Sequence, residues 1–157
     1  MDLILWRHAE AEERTDSGRD PDQDLERSLT SRGEKQAVKM AAWLDRQLPD
    51  TARILVSPAM RCEQTALALG RKYKIRLELR PDATPDQLLE LVQWPHGKGP
   101  VVVVGHQPML GQTIARLLGL QQGECPVKKS MVWWLRSRDR EGVCQTVVVT
   151  VQSSDVF

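Results

Sequence analysis

Short apolar runs alternate with segments of helical periodicity along this chain, and that alternation predicts an α/β fold. Three observations set the class. A continuous β-branched run, Val101 to Val104, reads as a central strand covered on both faces. Two further apolar runs, Leu3 to Trp6 and Ile54 to Val56, are each followed by amphipathic segments of helical length. The last third changes to paired strand patterns around a polar turn. The expectation is a three-layer α/β/α architecture: a mostly parallel open sheet with a C-terminal antiparallel hairpin at its edge.

Each element has its own cause. Leu3-Ile4-Leu5-Trp6 is a buried strand, and the polar stretch from Ala11 to Ser28, with Gly18 and Pro21, reads as a loop with a helical turn. Thr30 or Ser31 can cap the next helix, and Ser31 with Glu34 has capping-box spacing. Ala37, Met40, Ala41, Leu44 and Leu48 mark its inward face, and it stops before Pro49. After the Ile54–Val56 strand and Ser57-Pro58, a helix is expected from about Met60 to Tyr73. Ile75, Leu77 and Leu79 alternate with charged residues, which predicts a half-buried or edge strand. Thr84-Pro85-Asp86-Gln87 starts a helix running to about Trp94. Gly105-His106-Gln107-Pro108 ends the central strand and leads into a helix closing near Gly119. Ser130–Leu135 and Gln145–Val151 form the hairpin, joined by a turn at Arg138 to Gly142.

The chain has 157 residues with a formal charge of +1, 41% hydrophobic and 27% charged. One domain over residues 1–157 is expected, with no linker or repeat. The near-zero charge argues against nucleic acid or an anionic membrane as partner. No apolar run approaches the roughly 20 residues of a membrane helix, and no signal peptide is visible. Cys62, Cys125 and Cys144 form an odd set without a CxxC pair, which fits the cytoplasm. No P-loop or dinucleotide fingerprint occurs. Asp20-Pro21-Asp22-Gln23-Asp24 lacks the glycine and glutamate of a calcium loop and reads as a solvated acidic loop, so neither metal nor cofactor is expected.

Ligands of open parallel sheets sit beyond the carboxyl ends of the strands. There stand Arg7-His8, then Ser57-Pro58 with Arg61 one turn on, then Gly105-His106. Arginine forks match phosphate oxygens, and a group of arginines and histidines without a counter-carboxylate calls for an anion. A neutral imidazole is a competent nucleophile towards phosphorus, and neighbouring arginines keep it unprotonated. His96 reads as a surface residue and Cys62 as helix packing.

Four segments carry a family resemblance. Leu5-Trp6-Arg7-His8-Ala9-Glu10 resembles the "RHG/RHA" motif that opens the histidine phosphatase (phosphoglycerate mutase-like) superfamily. Leu29 to Ala37 is similar to its "LTxxGxxQA" helix start, and Ser57 to Ala66 to its "SPxxRxxQTA" segment. Val103 to Pro108 resembles the second-histidine motif, in the "GHxP" form of small phosphohistidine phosphatases of the SixA type. The resemblance spans roughly residues 3–118 and implies the phosphoglycerate mutase-like fold. It implies His8 as the phosphorylated nucleophile, Arg7 and Arg61 as phosphoryl-oxygen ligands, and His106 as a hydrogen-bonding wall opposite. Arg27 can reach the phosphate as well, while Ser57 shapes a turn.

Larger members of the superfamily carry a carboxylic acid to protonate the leaving group. Here Asp82 and Glu10 are the candidates, each equally readable as a surface residue. A weak acid suits phosphohistidine, whose imidazole leaves as a neutral ring. The expected activity is therefore a monomeric phosphohistidine phosphatase acting in signal transduction on a phosphoprotein of the phosphotransfer-domain type. The rivals are a phosphatase or mutase for small phosphoesters and a non-enzymatic phosphate-recognition module.

Overall fold

A computed structural model describes residues 1–14 and 20–157 of the chain. The strands are β1 (Asp2–Arg7), β2 (Arg53–Val56), β3 (Lys74–Ile75), β4 (Val101–Gly105), β5 (Val132–Arg140) and β6 (Val143–Gln152). The helices are α1 (Pro21–Leu25), α2 (Ser31–Gln47), α3 (Met60–Leu67), α4 (Pro85–Val92) and α5 (Met109–Leu118).

The strands form one sheet in the order β3-β2-β4-β1-β5-β6. β1, β2, β3 and β4 run parallel, and β5 and β6 add as an antiparallel hairpin beside β1. Strand pleating divides the core in two. Ile4, Trp6, Ile54, Val56, Val102 and Val104 pack with Met40, Leu44, Cys62 and Ala66 of α2 and α3. Leu3, Leu5, Leu55, Val101 and Val103 pack on the opposite face with Leu88, Leu110 and Ile114 of α4 and α5. The three-layer expectation therefore holds, with the hairpin where the sequence placed it.

The capping signals act as expected. Thr30 Oγ1 accepts from Gly33 N at 3.0 Å, so Thr30 rather than Ser31 is the cap of α2. Thr84 and Gln87 close a full capping box on α4. Gly33 is needed for close approach, since a Cβ there would lie 1.9 Å from Glu10 O. Omitting the side chain lets α2 begin directly against the segment that follows β1.

Tertiary contacts overrule the sequence in four places. α3 stops at Leu67 rather than near Tyr73, because Gly70 turns left-handed and Arg71 is taken by the end of α2, donating to the carbonyls of Leu48 and Pro49 at 3.0 and 2.7 Å. The edge strand keeps only Lys74 and Ile75. Leu77–Leu79 coils into a 3₁₀ turn that buries Leu79 and leaves Ile75 and Leu77 exposed. α4 ends at Val92, where Gln93 adopts a left-handed conformation. The hairpin strands extend further than expected, so the turn is only Glu141-Gly142, both with positive φ as a tight twisted hairpin turn needs.

Of the loop expected at Ala11 to Ser28, residues 15–19 lie outside the described residues. The rest carries α1 and a bridge between Ala11 and Leu29. No helix among the described residues is long and apolar enough to cross a membrane.

Candidate active site

Sheet register brings the sequence-predicted residues together. Arg7 pairs with Gly105, while Trp6 and Val56 both pair with Val104, so β1, β4 and β2 end level with one another. The ladder continues one step beyond the strands: His8 N donates to Gly105 O and Ser57 N to Val104 O, both at 3.1 Å. The two imidazoles thus face each other with ring centroids 5.3 Å apart. Arg61, in the first turn of α3, stands beside them and is only 3% exposed.

The result is a small cationic cup of about 170 Å³, lined by Arg7, His8, Arg27, Arg61, His106, Gln107 and Lys129. It lies at the starts of α3 and α5, whose N-terminal dipole ends favour negative charge. A larger cavity of about 560 Å³ beside β2 and β3 contains no histidine. Site chemistry, not size, selects the cup.

His8 is 6% exposed, and its Nδ1 lies 2.8 Å from Ala9 O. A carbonyl only accepts, so Nδ1 carries the proton and Nε2 keeps its lone pair. The residue that provides this carbonyl is held on both sides: Ala9 N donates to Thr65 Oγ1 and Glu10 N to Gln36 Oε1, both at 3.0 Å, and Thr65 donates to Arg61 O at 2.7 Å. Burial, followed by the charges of Arg61, Arg7 and Arg27, lowers the His8 pKa to about 3, although the bond to Ala9 opposes the shift. His8 is therefore neutral at physiological pH.

His106 is 2% exposed, with both ring nitrogens engaged. Arg61 Nη2 donates to Nδ1 at 3.3 Å, which leaves the proton on Nε2, 2.7 Å from Ser57 Oγ. Burial first, then Arg61 and His8, lower its pKa to about 2. Cys62 packs against the same ring, and burial pushes its thiol up to about 12, so it acts as a packing group.

The arginines are fixed by main-chain acceptors. Arg7 Nη1 donates to Val127 O and Arg61 Nη1 to Asp24 O, at 2.8 and 2.7 Å. The Nε groups of Arg7 and Arg61 are buried without a hydrogen-bond partner among the described residues. Arg27 does reach the cup, donating to Glu12 O at 2.8 Å while its Nε bonds to the Asp24 carboxylate at 3.0 Å.

The two candidate acids stand elsewhere. The Glu10 carboxylate accepts from Thr30 Oγ1 at 2.8 Å, at the start of α2. Asp82 is exposed and lines a neighbouring groove, though Pro81 beside it reaches the cup. No carboxylate lines the cup among the described residues. Among them, too, no cluster of His, Cys, Asp or Glu is arranged to hold a metal.

Several contributors escaped the sequence reading. Asp24 is 8% exposed and ion-paired with Arg61, so the acidic loop is not wholly solvated and the cations do have a counter-carboxylate. Gln36 and Gln64 accept from Glu10 N and Leu29 N at 3.0 and 2.7 Å, pinning the loop on which His8 depends. Residues 125–130 bring Lys129 to the rim, and Ser130, at φ 63°, donates its N–H to both Arg7 O and His8 O at 3.1 Å. The glutamines were visible as motif letters, whereas the 125–130 segment had no periodic signal.

Comparison with known proteins agrees with this geometry. The family description "histidine phosphatase superfamily (branch 1)" matches residues 3–84. The phosphohistidine phosphatase SixA of Escherichia coli (strain K12) is 31% identical over 134 residues, covering 80% of this chain and 78% of that protein. A SixA homolog from Haemophilus influenzae is 28% identical, covering 76% of this chain and 78% of its own. The solved structure of the protein histidine phosphatase SixA complexed with tungstate superposes with a TM-score of 0.76 at 25% identity, covering 99% of both chains. A SixA-type protein from Agrobacterium tumefaciens shares the fold, with a TM-score of 0.77 at 24% identity over 97% of each chain.

Proposed function

The chain belongs to the histidine phosphatase superfamily, and from that premise we propose that it hydrolyses phosphohistidine on a partner protein through a phosphorylated His8. One observation carries the reading: His8 is neutral, its Nδ1 proton is committed to Ala9 O, and its free Nε2 belongs to a cup of cations. A nucleophile with those properties needs no separate base.

In the first step Nε2 of His8 attacks phosphorus. The N–P bond of the substrate breaks, and its imidazole leaves as a neutral ring once protonated. Arg7, Arg61, Arg27 and Lys129 balance the charge on the three equatorial oxygens. His106 keeps both ring nitrogens on Arg61 and Ser57, so it holds the Arg61 fork in place on the far side of the cup. In the second step water attacks phosphorus, the His8 N–P bond breaks, and inorganic phosphate leaves.

Two features support phosphohistidine as the substrate. No carboxylate lines the cup among the described residues, which suits a leaving group that departs without a strong enzyme acid. The cup holds about 170 Å³, room for a phosphoryl group and the edge of a ring, so the rest of the substrate stays outside. Tungstate, found with the SixA structure, is an oxyanion of the same tetrahedral shape as phosphate. We read residues 1–157 as one monomeric cytoplasmic domain in signal transduction, with the chain's own cations doing the electrostatic work.

Incubation with a labelled phosphoramidate should trap an acid-labile phosphoenzyme, which His8→Ala should abolish. Label persisting in His8→Ala would overturn the assignment.

A further inference from the structure

Asp24 is a buried carboxylate that lies behind the cup and does not line it. Its Oδ2 accepts from Arg61 Nη2 at 3.2 Å, and its Oδ1 accepts from Arg27 Nε and Nη2, both at 3.0 Å. Its backbone carbonyl takes Arg61 Nη1 at 2.7 Å. One residue thus ties together the two guanidiniums that line the cup, with Arg14 Nε a third, more distant partner of Oδ1 at 3.8 Å, and through Arg61 it also steadies the His106 ring.

Two physical consequences follow. Arginine is a long side chain with many rotamers, and a transition state gains only from donors already in place. A carboxylate gripping both forks converts two mobile cations into one fixed edge. The same negative charge also offsets part of the positive potential felt by any anion in the cup. Substrate, transition state and free phosphate are all anions. Potential that binds them equally lowers KM and slows product release without helping the chemical step.

We propose that Asp24 is a positioning residue with a second role as resident counter-charge: it orients Arg61 and Arg27 for the transferred phosphoryl group and keeps the cup from retaining inorganic phosphate. The inference rests on the phosphatase reading and adds to it a residue outside the four motifs. Position and charge are separable. Asp24→Asn keeps the size and an acceptor oxygen but loses the charge. Asp24→Glu keeps the charge but moves it by one methylene.

The test pairs a titration with inorganic phosphate, read by calorimetry and by the rise in melting temperature, with turnover of phosphoramidate. Asp24→Asn should bind phosphate roughly 3–10-fold tighter while kcat falls roughly 10–10²-fold. Asp24→Glu should keep phosphate affinity within about twofold while kcat still falls, because the guanidiniums are displaced. A merely structural carboxylate would weaken phosphate binding and turnover together in Asp24→Asn, and that outcome overturns the proposal. Equal phosphate affinity in wild type and Asp24→Asn also overturns it. Should Asp24→Asn fail to fold, unchanged kcat in Asp24→Glu overturns the positioning role by itself. Phosphate binding is read without turnover, so a wild-type protein that binds phosphate but neither hydrolyses phosphoramidate nor becomes labelled sinks the phosphatase reading instead.

Discussion

The ends of β1 and β4 present two histidines side by side, each almost fully buried and each neutral, yet their hydrogen bonds differ. At the end of β1, His8 gives one nitrogen to the carbonyl of its own neighbour, and the other meets no hydrogen-bond partner among the described residues. At the end of β4, His106 accepts from Arg61 at one nitrogen and meets Ser57 at the other. Residue type and burial alone would make the two equivalent. The partner of each nitrogen is what fits His8 to the proposed role of nucleophile and His106 to that of wall, because only a free lone pair can attack and only a held ring can keep its orientation.

Substitution should widen that contrast. His8→Ala removes the attacking atom, so phosphoenzyme should vanish and turnover fall by roughly 10⁴-fold or more. His106→Ala leaves the nucleophile intact; phosphoenzyme should still form, at a rate lowered by roughly 10²–10³-fold. Rapid-quench measurement of label incorporation checks both. A His106→Ala variant without phosphoenzyme and a His8→Ala variant with it would exchange the two roles.

Acid should act on both histidines alike, through stability. Their folded pKa values, about 3 for His8 and about 2 for His106, lie below the ordinary value of 6.5. As the pH falls from 6.5 towards 3, the unfolded chain binds protons that the folded protein does not. Stability is therefore full above pH 6.5 and declines below it, with each histidine contributing up to about 1.4 kcal/mol per pH unit. Urea unfolding across this range should show the decline, and His106→Ala should make it shallower. Inorganic phosphate should also flatten it by favouring the charged rings in the folded state.

The smallest effect is expected in the neighbouring groove. Asp82→Asn should change turnover of phosphohistidine by less than about threefold, since imidazole leaves without strong acid assistance. A general acid would instead cost roughly 10²–10⁴-fold. A loss of that size would move the substrate class towards small phosphoesters.

Much of this was legible in the sequence, for identifiable reasons. Leu3–Trp6 and Val101–Val104 read as buried strands because both their faces are apolar, and both lie at the centre of the sheet. The rule that ligands sit beyond the carboxyl strand ends located Arg7, His8, Arg61 and His106, and register brought them together. The edge strand expected over Ile75–Leu79 survives only at its start, because alternation along a short segment cannot show that only Leu79 finds a core site. Asp24 read as solvated because its neighbours Asp20 and Asp22 are acidic, and nothing local records that Arg61 lies beside it.

Composition, periodicity and motif order by themselves determined the layers, the strands that end at the cup and four of the residues that gather there, since these depend on local patterns and on one rule about strand ends. Tertiary structure alone decided what each histidine nitrogen meets, which carboxylate balances the arginines and which loop brings Lys129 to the rim. Those outcomes depend on hydrogen bonds and charges between segments far apart in the chain, and local sequence holds no record of distance in space.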